Sequence, residues 1–248
     1  MHFPIWWRKY FRSLFSRIAN SRYQYWKKTR MLKFYSQFIR SGNLCFDVGA
    51  NVGYYSSTFL TLDTKVIAIE PISENITRLN QRFKGEKNLV VIHAAVSDET
   101  RIGTIYKGRS LDLSTLDKSF VNFNEQQFNE RWTETESIQL TTLDELIKAH
   151  GLPHYCKIDV EGHEKEVLSG LSSIIPIVSF EFLFSFKEKS IACILQISKL
   201  SPNAIYNYSL FEFFELENEE WLDAKSFINY LSDLPKSHVT GDIFCKLL

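Results

Sequence analysis

Short apolar runs rich in β-branched and aromatic residues recur through the middle of the chain, separated by stretches of helical spacing. The runs are Leu44–Val48, Val66–Glu70, Leu89–Ile92, Ile138–Thr141, Tyr155–Val160, Ile177–Phe182, 204–208 and 243–247. Between them, Tyr54–Leu62, Ser73–Phe83, a segment opening at Glu161, 187–199 and 219–231 space their apolar residues as helices do. Ser73 is a candidate N-cap, and Thr142-Leu143-Asp144-Glu145 has capping-box spacing before a helix that stops at Gly151 and Pro153. Strands alternating with helices predict a mostly parallel sheet with helices on both faces. Arg101–Lys107 reads as a hairpin arm, and 108–136 as a polar, irregular loop around Ser114-Thr115-Leu116, long enough to be a functional lid.

Four of these runs end in an acid: Asp47, Glu70, Asp159 and Glu181. In a parallel sheet such ends converge on the carboxyl edge, where open α/β sheets bind ligands. After Asp47 comes Val48-Gly49-Ala50-Asn51-Val52-Gly53-Tyr54, a small-residue turn that brings backbone N–H groups and a helix start close to a ligand. Seventeen residues beyond Gly53, Glu70-Pro71 closes the second strand, where an acid grips ribose hydroxyls. A dinucleotide site wants glycines at 49, 51 and 54. Here those positions are Gly, Asn and Tyr, so the pyrophosphate cradle is missing.

Apolar content of 44% against 23% charged residues permits a real core, and 248 residues suit one large α/β domain with an extension. Net charge is zero, but ten of the 29 Lys/Arg lie in residues 1–40, which hold no Asp or Glu, leaving 19 against 29 acids in the rest. We therefore divide the chain into a basic, aromatic helical extension, 1–40, and an α/β domain, 41–248. Trp7, Tyr10, Phe11, Leu14, Phe15 and Ile18 recur at helical spacing beside Arg8, Lys9, Arg12 and Arg17. That pattern suits attachment to an anionic membrane surface, docking to an anionic partner, or packing on the domain. A second amphipathic segment, Met31–Arg40, ends at Ser41-Gly42. Cys45, Cys156, Cys193 and Cys245 form no metal or redox motif and read as reduced, which with the lack of a membrane-length apolar run predicts a cytoplasmic protein, peripheral to a membrane at most.

Phe46-Asp47-Val48-Gly49-Ala50-Asn51-Val52-Gly53, Glu70-Pro71, Thr142-Leu143-Asp144 and Lys157-Ile158-Asp159-Val160-Glu161-Gly162-His163-Glu164 together resemble the FkbM family of S-adenosylmethionine-dependent methyltransferases, over about 41–183. The resemblance implies a Rossmann-like class I methyltransferase fold, with a seven-stranded, mostly parallel sheet and a reversed last strand. It also implies O-methylation of a hydroxyl on a sugar, glycolipid or polyketide-like acceptor. On this reading Asp47, Gly49, Asn51, Gly53, Tyr54, Glu70, Pro71, Ala95 and Asp159 bind S-adenosylmethionine, with Asp47 attracting its ammonium and Glu70 its ribose. Asp159, Glu161 and His163 are the candidate catalytic groups, His163 first as base because imidazole titrates near neutrality. Packing is the competing role for His163. No metal is assigned, metal dependence being the minority reading; were one used, Asp159, Glu161 and Glu181 would hold it. The acceptor is then a small molecule or glycan. Two other classes stay open: a nucleic-acid methyltransferase, disfavoured by the acidic body, and a non-catalytic scaffold recruited by its basic arm.

Overall fold

In a computed structural model, residues 20–128, 131–234 and 240–248 are described. The first strand, β1 (Leu44–Val48), sits centrally, paired in parallel with β2 (Lys65–Glu70) on one side and β7 (Tyr155–Ile158) on the other. Outward from β2 lies β3 (Leu89–His93); outward from β7 lie β8 (Ile177–Leu183), β11 (Thr240–Lys246), β9 (Ile205–Leu210) and the two-residue β10 (Leu222–Asp223). β11 runs antiparallel to both neighbours, the reversed last strand that was expected. The sheet has eight strands rather than seven because β10 adds a short antiparallel edge. Eight helices complete the described chain: α1 (Asn20–Tyr35), α2 (Tyr54–Thr61), α3 (Ser73–Arg82), α4 (Lys118–Phe128), α5 (Leu143–His150), α6 (Glu164–Ser169), α7 (Lys187–Leu200) and α8 (Ala224–Asp233).

Side chains alternate across a strand, so each run serves both faces of the sheet. Phe46, Val48, Cys156, Ile158, Val178, Phe180, Ile243 and Cys245 join the core under α5 to α8. Their neighbours Cys45, Tyr155, Ile177 and Phe244 join Met31, Phe34, Tyr35, Phe38, Ile39 and Phe59 on the other face. The second half of α1 and the turn after it are therefore packed into the core, with Phe38 and Phe244 stacked at 5.3 Å. The amphipathic stretch from Trp7 to Ile18 lies outside the described residues. All four cysteines are buried and unpaired. Among the described residues no helix is long and apolar enough to cross a membrane.

Two local expectations change and one holds. Ser73 is the first helical residue of α3, not its cap; the cap is Ile72, and the Ser73 hydroxyl instead donates to Glu136. Thr142 caps α5 as expected, its Oγ1 accepting from Glu145 N at 3.1 Å. The stretch 108–136 is not one irregular loop. It holds a 3₁₀ turn (Leu111–Leu113), α4 and the start of β6 (Trp132–Thr141), which pairs antiparallel with β5 (Ile102–Gly108) and parallel with β4 (Ala95–Val96) in a separate three-stranded sheet.

Candidate active site

The β1 turn is set by how closely the strands approach. A side chain on Gly49 (φ +82°) would put Cβ 1.9 Å from the carbonyl oxygen of Asp159, so only glycine lets the β1 and β7 tips close together. The turn is tied to β2: Gly49 N and Ala50 N donate to Ile69 O, and Asn51 N donates to Glu70 Oε2 at 2.8 Å. Asn51 takes the left-handed conformation (φ 50°) that asparagine tolerates. Glu70 Oε1 also accepts from Ile72 N (2.9 Å) and Asn75 Nδ2 (3.2 Å), and burial pushes its carboxyl above the ordinary range in spite of these donors.

Beside this turn lies a cavity of about 1230 Å³. One drug-sized ligand takes a pocket of roughly 300–1,000 Å³, so the space suits a cofactor and an acceptor together. Gly49, Asn51, Tyr54, Glu70, Pro71, Ala95, Asp159, Glu161, His163 and Glu181 all line it, as the sequence led us to expect. Asp47 and Gly53 do not appear in the lining. Asp47 is buried beneath the turn and accepts from Ser56 Oγ at 2.5 Å, and burial pushes its carboxyl up to about 6. A Cβ on Gly53 would meet Leu79 and Phe83, so that glycine serves the packing of α2 on α3. Ser114, Thr115 and Leu116 bring the polar loop into the wall, and Asn51 Nδ2 reaches its Asp112 at 3.2 Å. Asn51 Oδ1 and Ser114 Oγ are buried with no hydrogen-bond partner. Unmet polar atoms beside an acid at the β2 tip suit the adenosine half of S-adenosylmethionine.

Across the sheet from the turn runs a row of charge that the sequence did not make visible. Tyr155, Lys157 and Asp159 share one face of β7 and its extension, Ser179 and Glu181 the matching face of β8, and Asp242 is the β11 partner of Glu181. Lys157 is wholly buried, donating to Asp159 Oδ2 at 2.8 Å and to Asp242 Oδ1 at 3.5 Å, with its Nζ 4.3 Å from the Tyr55 ring centroid. Burial alone would strip its proton, yet the two carboxylates hold the ammonium well above the ordinary lysine range. Oxygens of Asp159, Glu161 and Glu181 lie within 4.8 Å of one another, so the three acids named as potential metal ligands do converge. Lys157 already supplies one of them with a cation.

The β7–α6 loop is held by a residue to which the sequence assigned no role. Glu161 (φ 54°) and Gly162 (φ 98°) turn the chain, and Glu164 Oε1 accepts from Gly162 N (3.0 Å) and Val160 N (3.3 Å). Thr115 Oγ1 donates to Glu161 O at 2.8 Å, joining this loop to the polar loop. His163 caps α6, its Nε2 3.0 Å from Ser97 Oγ and its Nδ1 3.7 Å from Glu166. Burial lowers its pKa and keeps the ring neutral.

Burial pushes the Glu164 carboxyl up to about 7 from 4.5. The folded protein thus keeps a proton that the unfolded chain has released. That contribution is whole below about pH 4.5 and is lost as pH rises through about 7. Glu164→Gln cannot ionise, so the wild type should lose about 3 kcal/mol relative to this variant between pH 4 and pH 8 in denaturant melts. Parallel stability curves would contradict the assignment.

Comparison with known proteins agrees with this geometry. No curated protein matches the chain. Several solved structures are similar at low identity. A precorrin-6y C5,15-methyltransferase from Geobacter metallireducens is 8% identical, with 88% of this chain and 85% of that one covered and a TM-score of 0.47. A TehB-like SAM-dependent methyltransferase from Corynebacterium glutamicum is 9% identical, covering 88% and 87% at a TM-score of 0.43. A Streptococcus mutans protein in complex with SAH is 10% identical, covering 88% and 95% at a TM-score of 0.43. The profile described as the methyltransferase FkbM domain matches residues 47–219, from the acid under the turn to beyond β9. The turn and the acid-tipped strands lie within that match, and the chain belongs to the FkbM family of methyltransferases, with S-adenosylmethionine as its cofactor.

Proposed function

We propose that the protein methylates a hydroxyl group on a sugar, glycolipid or polyketide-like acceptor. The observation that carries this reading is the single cavity joining the β1 turn to the acids at the β7 and β8 tips. When bound, the cofactor supplies a methyl group on a positively charged sulfur. Glu70 and the backbone of the Gly49–Asn51 turn hold the adenosine end; Asp159, which accepts from Lys157 Nζ, faces the methionine end. An alcohol must lose its proton as its oxygen takes the methyl, and the sulfur leaves as a neutral thioether. Glu161, at the tip of the β7–α6 loop and lining the cavity, takes that proton. His163 has Ser97 and Glu166 beside its two ring nitrogens and so shapes the loop instead. Four buried, unpaired thiols suit a reducing, cytoplasmic setting.

Transfer of labelled methyl groups from S-adenosylmethionine to neutral glycosides and polyketide alcohols, with RNA and DNA alongside, tests the reaction. Transfer to nucleic acid alone would displace it. Within it, Glu161→Gln should lower kcat about 100-fold or more with unchanged cofactor affinity, while His163→Gln should change kcat less than about tenfold. The reverse order would return the base to His163.

A further inference from the structure

Trp26, Tyr54 and Phe213 are the large aromatic side chains left exposed among the described residues, at 45%, 45% and 47%, and all three line this one cavity. Trp26 belongs to α1, ahead of the family-matched segment. The helix is placed by its buried end. Met31 lines the cavity and packs in the core, while Phe34, Tyr35 and Phe38 lock against Phe244, Phe59 and Tyr155. From that anchor, Trp26 and Lys27 extend along the cavity wall. The loop after β9 is set in the same way. Phe214 is buried against Phe34 and Tyr35, which leaves its neighbour Phe213 outside. Lys27 Nζ meets Glu212 at 2.7 Å and Arg30 meets Glu215 at 3.0 Å, so two ion pairs clasp α1 to this loop.

Resting on the methyl-transfer reading above, we infer that α1 and the 211–214 loop form the acceptor subsite, with Trp26 and Phe213 as platforms for an uncharged, hydroxyl-bearing ring and with anionic acceptors rejected. Exposed aromatic rings bind the C–H faces of a polyol ring, which offers apolar surface in a polar molecule. Tyr54 opens α2 directly after the β1 turn, on the cofactor side, with Lys27 and Arg82 at 5.5 and 5.2 Å from its centroid; the platform is therefore Trp26, which has Arg30 5.0 Å from its own centroid, and Phe213. The charge of the wall sets the second half. Asp112, Asp159, Glu161, Glu181, Glu212 and Asp242 line the cavity; Lys27, Arg30 and Lys157 are each paired with a carboxylate, and Arg82, outside the lining, donates to Val52 O. Hydroxyl groups donate to such a wall; phosphate or carboxylate groups meet like charge.

The test uses the full chain with saturating S-adenosylhomocysteine, whose binding is measured by calorimetry in the same sample. Saturation-transfer NMR then compares a panel of neutral methyl hexopyranosides with the matching hexose phosphates and uronates. Signal is expected from neutral glycosides, with at least about tenfold weaker apparent affinity in Trp26→Ala and Phe213→Ala and unchanged cofactor affinity. Thermal melts establish that both variants fold. Equal signal from the anionic set, no signal from the neutral set, or neutral signal unchanged in both variants overturns the inference. Absent calorimetric binding of S-adenosylhomocysteine would instead sink the methyl-transfer reading on which it rests.

Discussion

Replacing Lys157 by methionine should cost up to about 3–5 kcal/mol of folding stability, because it leaves the buried Asp242 and the half-buried Asp159 without their counter-charge. Lys157 is fully buried and touches Asp159 and Asp242; methionine keeps much of its volume and none of its charge. The loss therefore comes chiefly from carboxylates stranded in low dielectric, not from a cavity. Glu181, the cross-strand partner of Asp242, adds a further acid to the same level of the sheet. Urea melts of Lys157→Met measure the cost. Adding Asp242→Asn should recover part of it by removing one stranded charge, whereas a packing defect would not respond. A loss below about 1 kcal/mol, or no recovery in the double variant, would show that the lysine is not the neutralising centre of the row. Cofactor affinity should also fall in Lys157→Met, since Asp159 loses the group that orients it.

Much of the β1-turn side of the cavity was legible because it rests on local rules. A strand ending in an acid, a glycine turn and a second acid-tipped strand appear in chain order, and Gly49, Asn51, Glu70 and Asp159 all reach the cavity. Asp47 and Gly53 obey the same local pattern, yet their positions are decided by neighbours distant in sequence. Ser56 and the β7 strand bury the first, and Leu79 with Phe83 fills the space beside the second. Lys157 was illegible for a related reason. Alternation places it on the Asp159 face of β7, but nothing local says that Asp242, 85 residues on, will complete its surroundings. The wall opposite depends on α1 and on the turn after β9, which meet only in the folded chain. Charge asymmetry drew attention to residues 1–40 for their basic character, whereas the described part of that segment acts through Met31, Phe34, Tyr35 and Phe38 in the core.

Glu70→Ala should weaken binding of S-adenosylhomocysteine at least about 100-fold, because charge-assisted hydrogen bonds contribute about 1.5–3 kcal/mol each and this side chain serves two purposes. Its Oε2 holds Asn51 N, and its Oε1 holds Ile72 N and Asn75 Nδ2, so the carboxylate fixes the β1 turn and the start of α3. A carboxylate offers about four acceptor directions, and the second direction of Oε2 leaves room for one ribose hydroxyl at the cavity surface. The two purposes separate in a cycle. Glu70→Gln presents an NH₂ group to one of the backbone donors, so it should fall between wild type and Glu70→Ala in calorimetry. A 2′,3′-dideoxy analogue of S-adenosylhomocysteine should then bind the wild type much more weakly than the parent compound, but bind Glu70→Ala with little further loss. If the dideoxy penalty is the same in both proteins, Glu70 acts only as a tether of the turn. Full affinity in Glu70→Ala would remove the ribose assignment altogether and with it the placement of the adenosine half beside β2.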